Sequence, residues 1–269
     1  MNFFGGGMVD QFDILFEQAM CDHWWVQDNA QVVKKPDYEY LKSRNDHRLY
    51  NAVIRVSPKT RQYQQLIDEV MLAHKGKGSE WRIGAPSYTT ELEKAVLSAG
   101  YKVDGAADAW TIQVDAARPP VPSSIVVKRV ATLQDMRDMY DIMNQSFDKR
   151  NPTEDSELTK QLQMCTGTNA RCLRFVAYDK KTNQPLSTGG LNLYPELAVG
   201  FMWGGCTIPQ ARGRGVYSAV VTHRMLHAQK RGIARIGLYA IRNTSGPIVK
   251  AQGFDKHGPI HFWGRDHTP

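Results

Sequence analysis

No C-x-x-C pair occurs in this chain of 269 residues, and its four cysteines, Cys21, Cys165, Cys172 and Cys206, stand far apart. That spacing argues against a disulfide framework or a cysteine-rich zinc site and suits reduced thiols in a cytoplasmic protein. No apolar run approaches the roughly 20 residues of a membrane helix, so no membrane partner is expected. The opening residues Met1 to Gly7 have neither a basic start nor a long apolar stretch, and no signal peptide is expected there. Runs of five basic residues and aromatic–basic stacking motifs are missing too, which speaks against nucleic acid as a partner. His223 and His227 lie four apart, but without the glutamate of H-E-x-x-H or a third ligand they read as helix surface and not as a metal site.

What is present points to an ordered protein of two domains. Hydrophobic residues make up 42% and aromatic residues 10%, enough to bury a core. The net charge of +7 is uneven: residues 1–120 carry 14 Lys and Arg against 16 Asp and Glu, whereas residues 121–269 carry 20 against 11. The basic excess therefore lies wholly in the second half, where it would attract a polyanion. Apolar periodicity predicts helices over 12–20, 62–74, 89–98, 133–147, 156–165 and 216–230, with a short helix within 243–252. It predicts strands over 30–33, 38–41, 49–56, 81–85, 109–114, 125–130, 172–178, 187–193, 199–208 and 235–240, and final strands around Phe254 and Phe262. Between them, 117–124 holds three prolines and reads as a semi-rigid spacer separating domains 1–116 and 125–269.

The stretch Gln210-Ala211-Arg212-Gly213-Arg214-Gly215 follows an apolar strand and opens a long helix. The first N–H groups of a helix have no partner within it and the helix dipole is positive there, so such a place suits an anion. Glycines let the backbone come close to it. The chain also repeats itself. Arg82-Ile83-Gly84 matches Arg235-Ile236-Gly237, Gly100-Tyr101 matches Gly253-Phe254, Met71-Leu72 matches Met225-Leu226, and Pro58 matches Pro209. Opposite the glycine loop the first copy has only Lys59-Thr60-Arg61-Gln62.

The pattern Gln210-x-x-Gly213-x-Gly215, the strand before it, the helix after it and the ending Ala251-Gln252-Gly253-Phe254 resemble the GCN5-related N-acetyltransferase (GNAT) family. The repeat makes the whole similar to tandem members of that family, residues 1–116 being a degenerate copy without the cofactor loop. The resemblance implies an α/β (α+β) fold: two domains, each a mixed, mostly antiparallel sheet flanked by helices, with a splayed strand pair holding coenzyme A in the second. It implies an N-acetyltransferase that moves acetyl from acetyl-CoA to a small-molecule amine acceptor, as a monomer or homodimer. Carried over, Thr207 and Ile208 offer strand amides, and Arg212, Gly213, Arg214, Gly215, Val216 and Tyr217 wrap the pyrophosphate. Asn243 and Ser245 touch the rest of the cofactor, while Tyr194, Phe201 and Trp203 line the acceptor pocket.

Two family features are missing. Val249 stands where a tyrosine usually supplies a proton, and no carboxylate sits in the middle of strand 199–208. Tyr239, Glu196 and Cys206 are the candidates for the vacant catalytic roles, with Tyr217 and Tyr194 as further aromatic possibilities. Each has a plainer reading as a packed aromatic, a surface acid or a small buried hydrophobe. The vacancy keeps open an acyl-CoA-binding pseudoenzyme or sensor, and the unassigned acceptor keeps open a protein or peptide N-acetyltransferase.

Overall fold

The computed structural model describes residues 9–26, 28–60, 62–147 and 154–266. In chain order the elements are α1 (Gln11–Met20), β1 (Ala30–Lys34), β2 (Tyr38–Ser43), β3 (Ala52–Val56), α2 (Tyr63–Ala73), β4 (Ser79–Gly84), α3 (Thr90–Ser98) and β5 (Lys102–Gln113). There follow β6 (Ile125–Arg129), α4 (Leu133–Ser146), α5 (Asp155–Cys165), β7 (Cys172–Asp179), β8 (Pro185–Tyr194) and β9 (Val199–Thr207). The last are α6 (Val216–Lys230), β10 (Arg235–Ile241), α7 (Ser245–Ala251) and β11 (Asp255–Arg265). Helix starts carry the chemistry that a start requires: Asp10 and Asp13 form a capping box on α1, Thr132 and Asp135 another on α4, and the Thr89 hydroxyl accepts from Leu92 N–H at 3.0 Å on α3.

The chain divides into two compact units, and neither is a continuous stretch. The first holds Met1–Trp110, Tyr239–Lys250 and Asp255–Pro269, and the second holds Thr111–Leu238 and Ala251–Phe254. The chain thus passes into the second unit just ahead of the 117–124 segment, and its closing strand goes back to the first.

In the first unit the strand order is β1-β2-β3-β4-β11-β5. Neighbours β1/β2, β2/β3 and β4/β11 are antiparallel and β3/β4 parallel. Its core is Val53, Leu66, Ile67, Val70, Trp81, Ile83, Leu92, Val96 and Tyr101, with Trp263 supplied by β11. In the second unit the order is β10-β9-β8-β7-β6, antiparallel throughout except for the parallel β9/β10 pair. Successive residues of β7 point to opposite faces. Arg174 meets Met136 and Tyr140 of α4 and Gln161 of α5, while the Phe175 ring packs 4.9 Å from that of His227 on α6. So α4 and α5 cover one face of this sheet and α6 covers the other.

The internal repeat holds as topology: β3-α2-β4-α3-β5 and β9-α6-β10-α7-β11 each open with a parallel strand pair joined through a helix. Gly100 and Gly253 end the second helix of each copy in the left-handed region, at φ +87° and +84°. Several sequence expectations change. The strand expected from Leu49 begins at Ala52, because Arg48–Tyr50 close a 3-10 turn capped by His47. The strand expected at 109–114 spans Lys102–Gln113, and the two closing strands are one, β11. The proline segment is held against α6. The Thr222 hydroxyl of α6 donates to Pro119 O at 3.2 Å, and Arg118 donates to Gln229 Oε1 at 2.7 Å. Helix α6 is correspondingly buried on several sides rather than on one stripe. Among the described residues no helix is long and apolar enough to cross a membrane.

Two predictions follow from the first unit. His74 is fully buried, and its Nε2 lies 2.7 Å from Leu41 O, a pure acceptor, so Nε2 carries the proton and Nδ1 accepts from the Ser79 hydroxyl at 2.7 Å. Burial lowers its pKa to about 4. The folded pKa is below the unfolded one, so stability is complete above about pH 6.5 and is lost as pH falls toward 4. His74→Gln should flatten that loss by on the order of 2 kcal/mol in pH-dependent urea unfolding. Trp263→Ala should cost about 3–5 kcal/mol and remove hydrogen-exchange protection from 79–84, although those residues lie far from it in sequence.

Candidate functional site

The site begins with a strand that outruns its partner. The parallel ladder of β9 and β10 holds three pairs, Arg235↔Val199, Ile236↔Gly200 and Gly237↔Phe201. Strand β9 continues through Thr207, and β10 passes into the first unit from Tyr239 on. Backbone groups of a strand beyond its ladder need other partners.

Past Thr207 the chain makes a 3-10 turn at Pro209–Ala211, and Ala211 is buried. Gly213 and Gly215 then sit in the left-handed region at φ +74° and +71°, where a side chain would be strained. Gly215 is the N-cap of α6, offers no side-chain cap, and no acidic residue follows in the first turn. The loop glycines and both arginines are exposed, and a Cβ added at Gly213 would meet nothing within 4 Å. Free first-turn N–H groups, close backbone access and two nearby arginines form a cradle suited to a phosphate or pyrophosphate.

The sequence-predicted residues fall into three groups. Arg212, Gly213, Arg214, Gly215, Val216 and Tyr217 come together at the head of α6. Arg212 Nε donates to Thr207 O at 3.3 Å, Arg214 pairs with Asp179 at 3.3 Å, and Val216 is buried. Thr207 is placed beside them, its hydroxyl donating to Ser187 Oγ at 2.9 Å. Ile208 does not offer its amide, because that N–H donates to Leu186 O at 3.0 Å and its carbonyl accepts from Ala211.

The second group belongs to the other compact unit. Asn243 is exposed at the end of β10, and the Ser245 hydroxyl already accepts from Ile241 N–H at 2.8 Å. Tyr239 packs edge-on to Phe16, ring centroids 5.4 Å apart. Burial, and secondarily the charges of Glu17 and Asp13, push its phenol well above the ordinary tyrosine range. Val249, in the proton donor's usual place, is fully buried.

The third group lines β8 and β9. Tyr194 is buried, with the Arg171 guanidinium 5.8 Å from its ring, and the exposed Glu196 pairs with that same arginine at 3.1 Å. Tyr194 ends β8 and Glu196 lies in the turn Pro195–Leu197 that leads into β9. Five residues, roughly 16 Å of strand, separate Val199 from Gly204, so Glu196 is not brought to the loop end of the strand. Cys206 is buried, and burial pushes its thiol up to about 11, which makes it a packing residue at neutral pH. Phe201 and Trp203 are half-buried on the α4–α5 face. The Trp203 indole lies over Gly190 and donates to Asn192 Oδ1 at 2.9 Å.

Sequence reasoning missed a β-bulge. Gly190 pairs with Trp203 and Thr188 with Cys206, so Gly204 and Gly205 together oppose Gly189 alone. Gly204 has φ +58°. The signal was available in the glycine doublets 189–190 and 204–205, since paired glycines inside strands mark bulges and close approaches. Two buried arginines, Arg174 and Arg224, also escaped notice among the scattered basic residues. His223 and His227 turn their Nδ1 atoms to carbonyls of their own helix, at 3.1 and 2.9 Å, and the described residues contain no cluster able to hold a metal.

No family model matches the chain, and no curated protein does. Solved structures do. A GCN5-related N-acetyltransferase from Kribbella flavida superimposes with TM-score 0.69 over 98% of this chain and 97% of its own, at 12% identity. Another from Sphaerobacter thermophilus gives 0.65 over 94% and 86%, at 15% identity. A tandem GNAT protein from the clavulanic acid biosynthesis pathway gives 0.61 over 96% and 95%, at 11% identity. At such identities the likeness is one of fold, and it extends over both repeats.

The close fit at Gly190 is testable. A Cβ there would lie 2.2 Å from the Trp203 indole. Gly190→Ala should cost about 1–3 kcal/mol in chemical unfolding through overpacking and shift the tryptophan emission.

Proposed function

From a fold shared with the GCN5-related N-acetyltransferases in tandem, we propose that this chain transfers an acyl group, acetyl foremost, from acyl-CoA to a primary amine of a small molecule. The observation that carries the reading is the pair of left-handed glycines on an uncapped helix N-terminus, present in the second repeat and missing from the first. The family implies acyl-CoA, which enters as a substrate consumed at each turnover. Its pyrophosphate suits the 212–217 backbone and the two loop arginines, and its extended arm suits the edge of β9 beyond Phe201. The amine acceptor is assigned to the α4–α5 face, where Phe201 and Trp203 are partly exposed.

Direct transfer needs an unprotonated amine, whose ordinary pKa is about 10, so a proton must leave through a base or solvent. Glu196 is ion-paired at the far end of β9, which favours solvent over that carboxylate. The bulge at Gly204–Gly205 re-aims β9 backbone N–H groups, and such groups stabilise an oxygen that gathers negative charge. With positioning as the main contribution, no dedicated acid is required.

A second reading, an acyl-CoA-binding protein without transfer, is favoured by the burial of Val249 where a proton donor is usual. Calorimetry with CoA and thiol-release assays on an amine panel separate the two. Gly213→Asp puts a charge and a strained side chain in the cradle. It should weaken CoA binding at least about tenfold and lower kcat/KM for acetyl-CoA by a similar factor. Unchanged binding in that variant would remove the loop from the proposal.

A further inference from the structure

Arg224 of α6 is 1% exposed and lies directly behind the β9 bulge. Among the described residues no carboxylate faces it. The titratable groups around it are the Tyr217 phenol, whose ring centre lies 5.8 Å from the guanidinium carbon, and the Cys206 thiol, which burial pushes up to about 11. Its Nη1 reaches Gly190 O at 3.3 Å, while Nε and Nη2 have no hydrogen-bond partner. Burial lowers its pKa, yet a guanidinium starts so far above neutrality that it keeps its charge. A buried cation without a counter-ion is strongly unfavourable unless some other group answers it.

The sheet is shaped to admit this charge. A Cβ on Gly189 would stand 2.8 Å from Nη1, and one on Gly205 would stand 3.5 Å from Nη2 and 2.8 Å from the Tyr217 ring. Two positions in two strands, Gly189 and Gly205, thus carry no side chain where the guanidinium meets backbone. On the opposite face Arg174, also buried, holds its guanidinium 5.1 Å from the Trp203 ring at the edge of the same bulge, with Nε unpartnered. Among the described residues, neither arginine has an ion pair. The bulge therefore sits between two buried guanidinium groups that are met by neutral partners and aromatic rings and by no described carboxylate, in the low-dielectric interior where a charge acts most strongly.

We propose that Arg224 is a positioning residue for the acyl transfer: its fixed charge behind the Gly204–Gly205 backbone favours negative charge at the reacting centre. The inference rests on the acyl-CoA reading above. In the transfer, the amine nitrogen bonds to the carbonyl carbon and the C–S bond breaks with its electron pair passing to sulfur. The proton that nitrogen loses to solvent is matched by one that sulfur gains. A charge that makes sulfur a better leaving group lessens the need for the acid that Val249 cannot be.

The test uses the full chain with CoA in its free-thiol form, following thiolate absorbance as pH is raised. The bound thiol should titrate at least about one pH unit lower on the wild type than on Arg224→Met, and Arg224→Lys should keep most of that difference. With acetyl-CoA and an accepted amine, Arg224→Met should lose about 100-fold in kcat while KM for acetyl-CoA changes less than about threefold. Its melting temperature should not fall, because an unpaired buried charge has been removed. Equal thiol titration on wild type and Arg224→Met overturns the proposal. So does a lysine variant that behaves like the methionine one, or a methionine variant that no longer folds. A wild type that binds no CoA overturns the acyl-CoA reading itself, and is thereby distinguished from failure of Arg224 alone.

Discussion

A parallel strand pair that stops after three residue pairs leaves the longer strand to find partners elsewhere, and much of the second unit is arranged around that need. Where β9 runs past Gly237↔Phe201, the chain adds a bulge, an anion cradle and a buried positive charge within nine residues of strand and the helix that follows. The first unit meets the same constraint differently. Its parallel pair β3/β4 is shorter still, Ala52↔Glu80 and Val53↔Trp81. There the N–H of Val56 at the strand's end donates to the buried Ser87 hydroxyl at 3.1 Å, and Ser87 in turn donates to Glu17. One repeat answers its strand end with its own side chains; the other keeps glycines at the corresponding place, while the helix that follows begins without a side-chain cap in both.

This difference explains why the two copies have diverged in one spot and remained alike elsewhere. Gly213 and Gly215 hold the second copy's turn in the left-handed region and leave its backbone without a Cβ, open to close approach. In the first copy the turn at 57–60 holds Thr60 N–H against Ser57 O, and no glycine stands between it and α2. The remaining architecture, a strand–helix–strand–helix–glycine series packed on an antiparallel meander, depends on burial and periodicity, which both copies keep.

Local chemistry made part of this legible from sequence. Helix α6 falls on the expected 216–230, and the loop residues sit where glycine and proline placed them, because each signal lies within a few residues of its effect. The repeat, and with it the tandem arrangement, was readable from four short matches. What was not readable depends on register and on partners far away in sequence. The bulge exists only relative to β8, and the return of β11 to β4 leaves no mark in composition. Arg224 looks like any helix-surface arginine until Gly189 and Gly205 are seen to face it. Nor does the sequence show that Tyr239 is buried against Phe16 or that Glu196 is paired with Arg171.

Hydrogen exchange followed by mass spectrometry, with and without CoA, tests the central claim most directly, namely that the second repeat alone holds the acyl donor. Protection should rise in peptides covering 202–207 and 212–218, and stay unchanged in the corresponding 56–66 of the first repeat. Unchanged exchange in both regions, or protection appearing at 56–66, would contradict it.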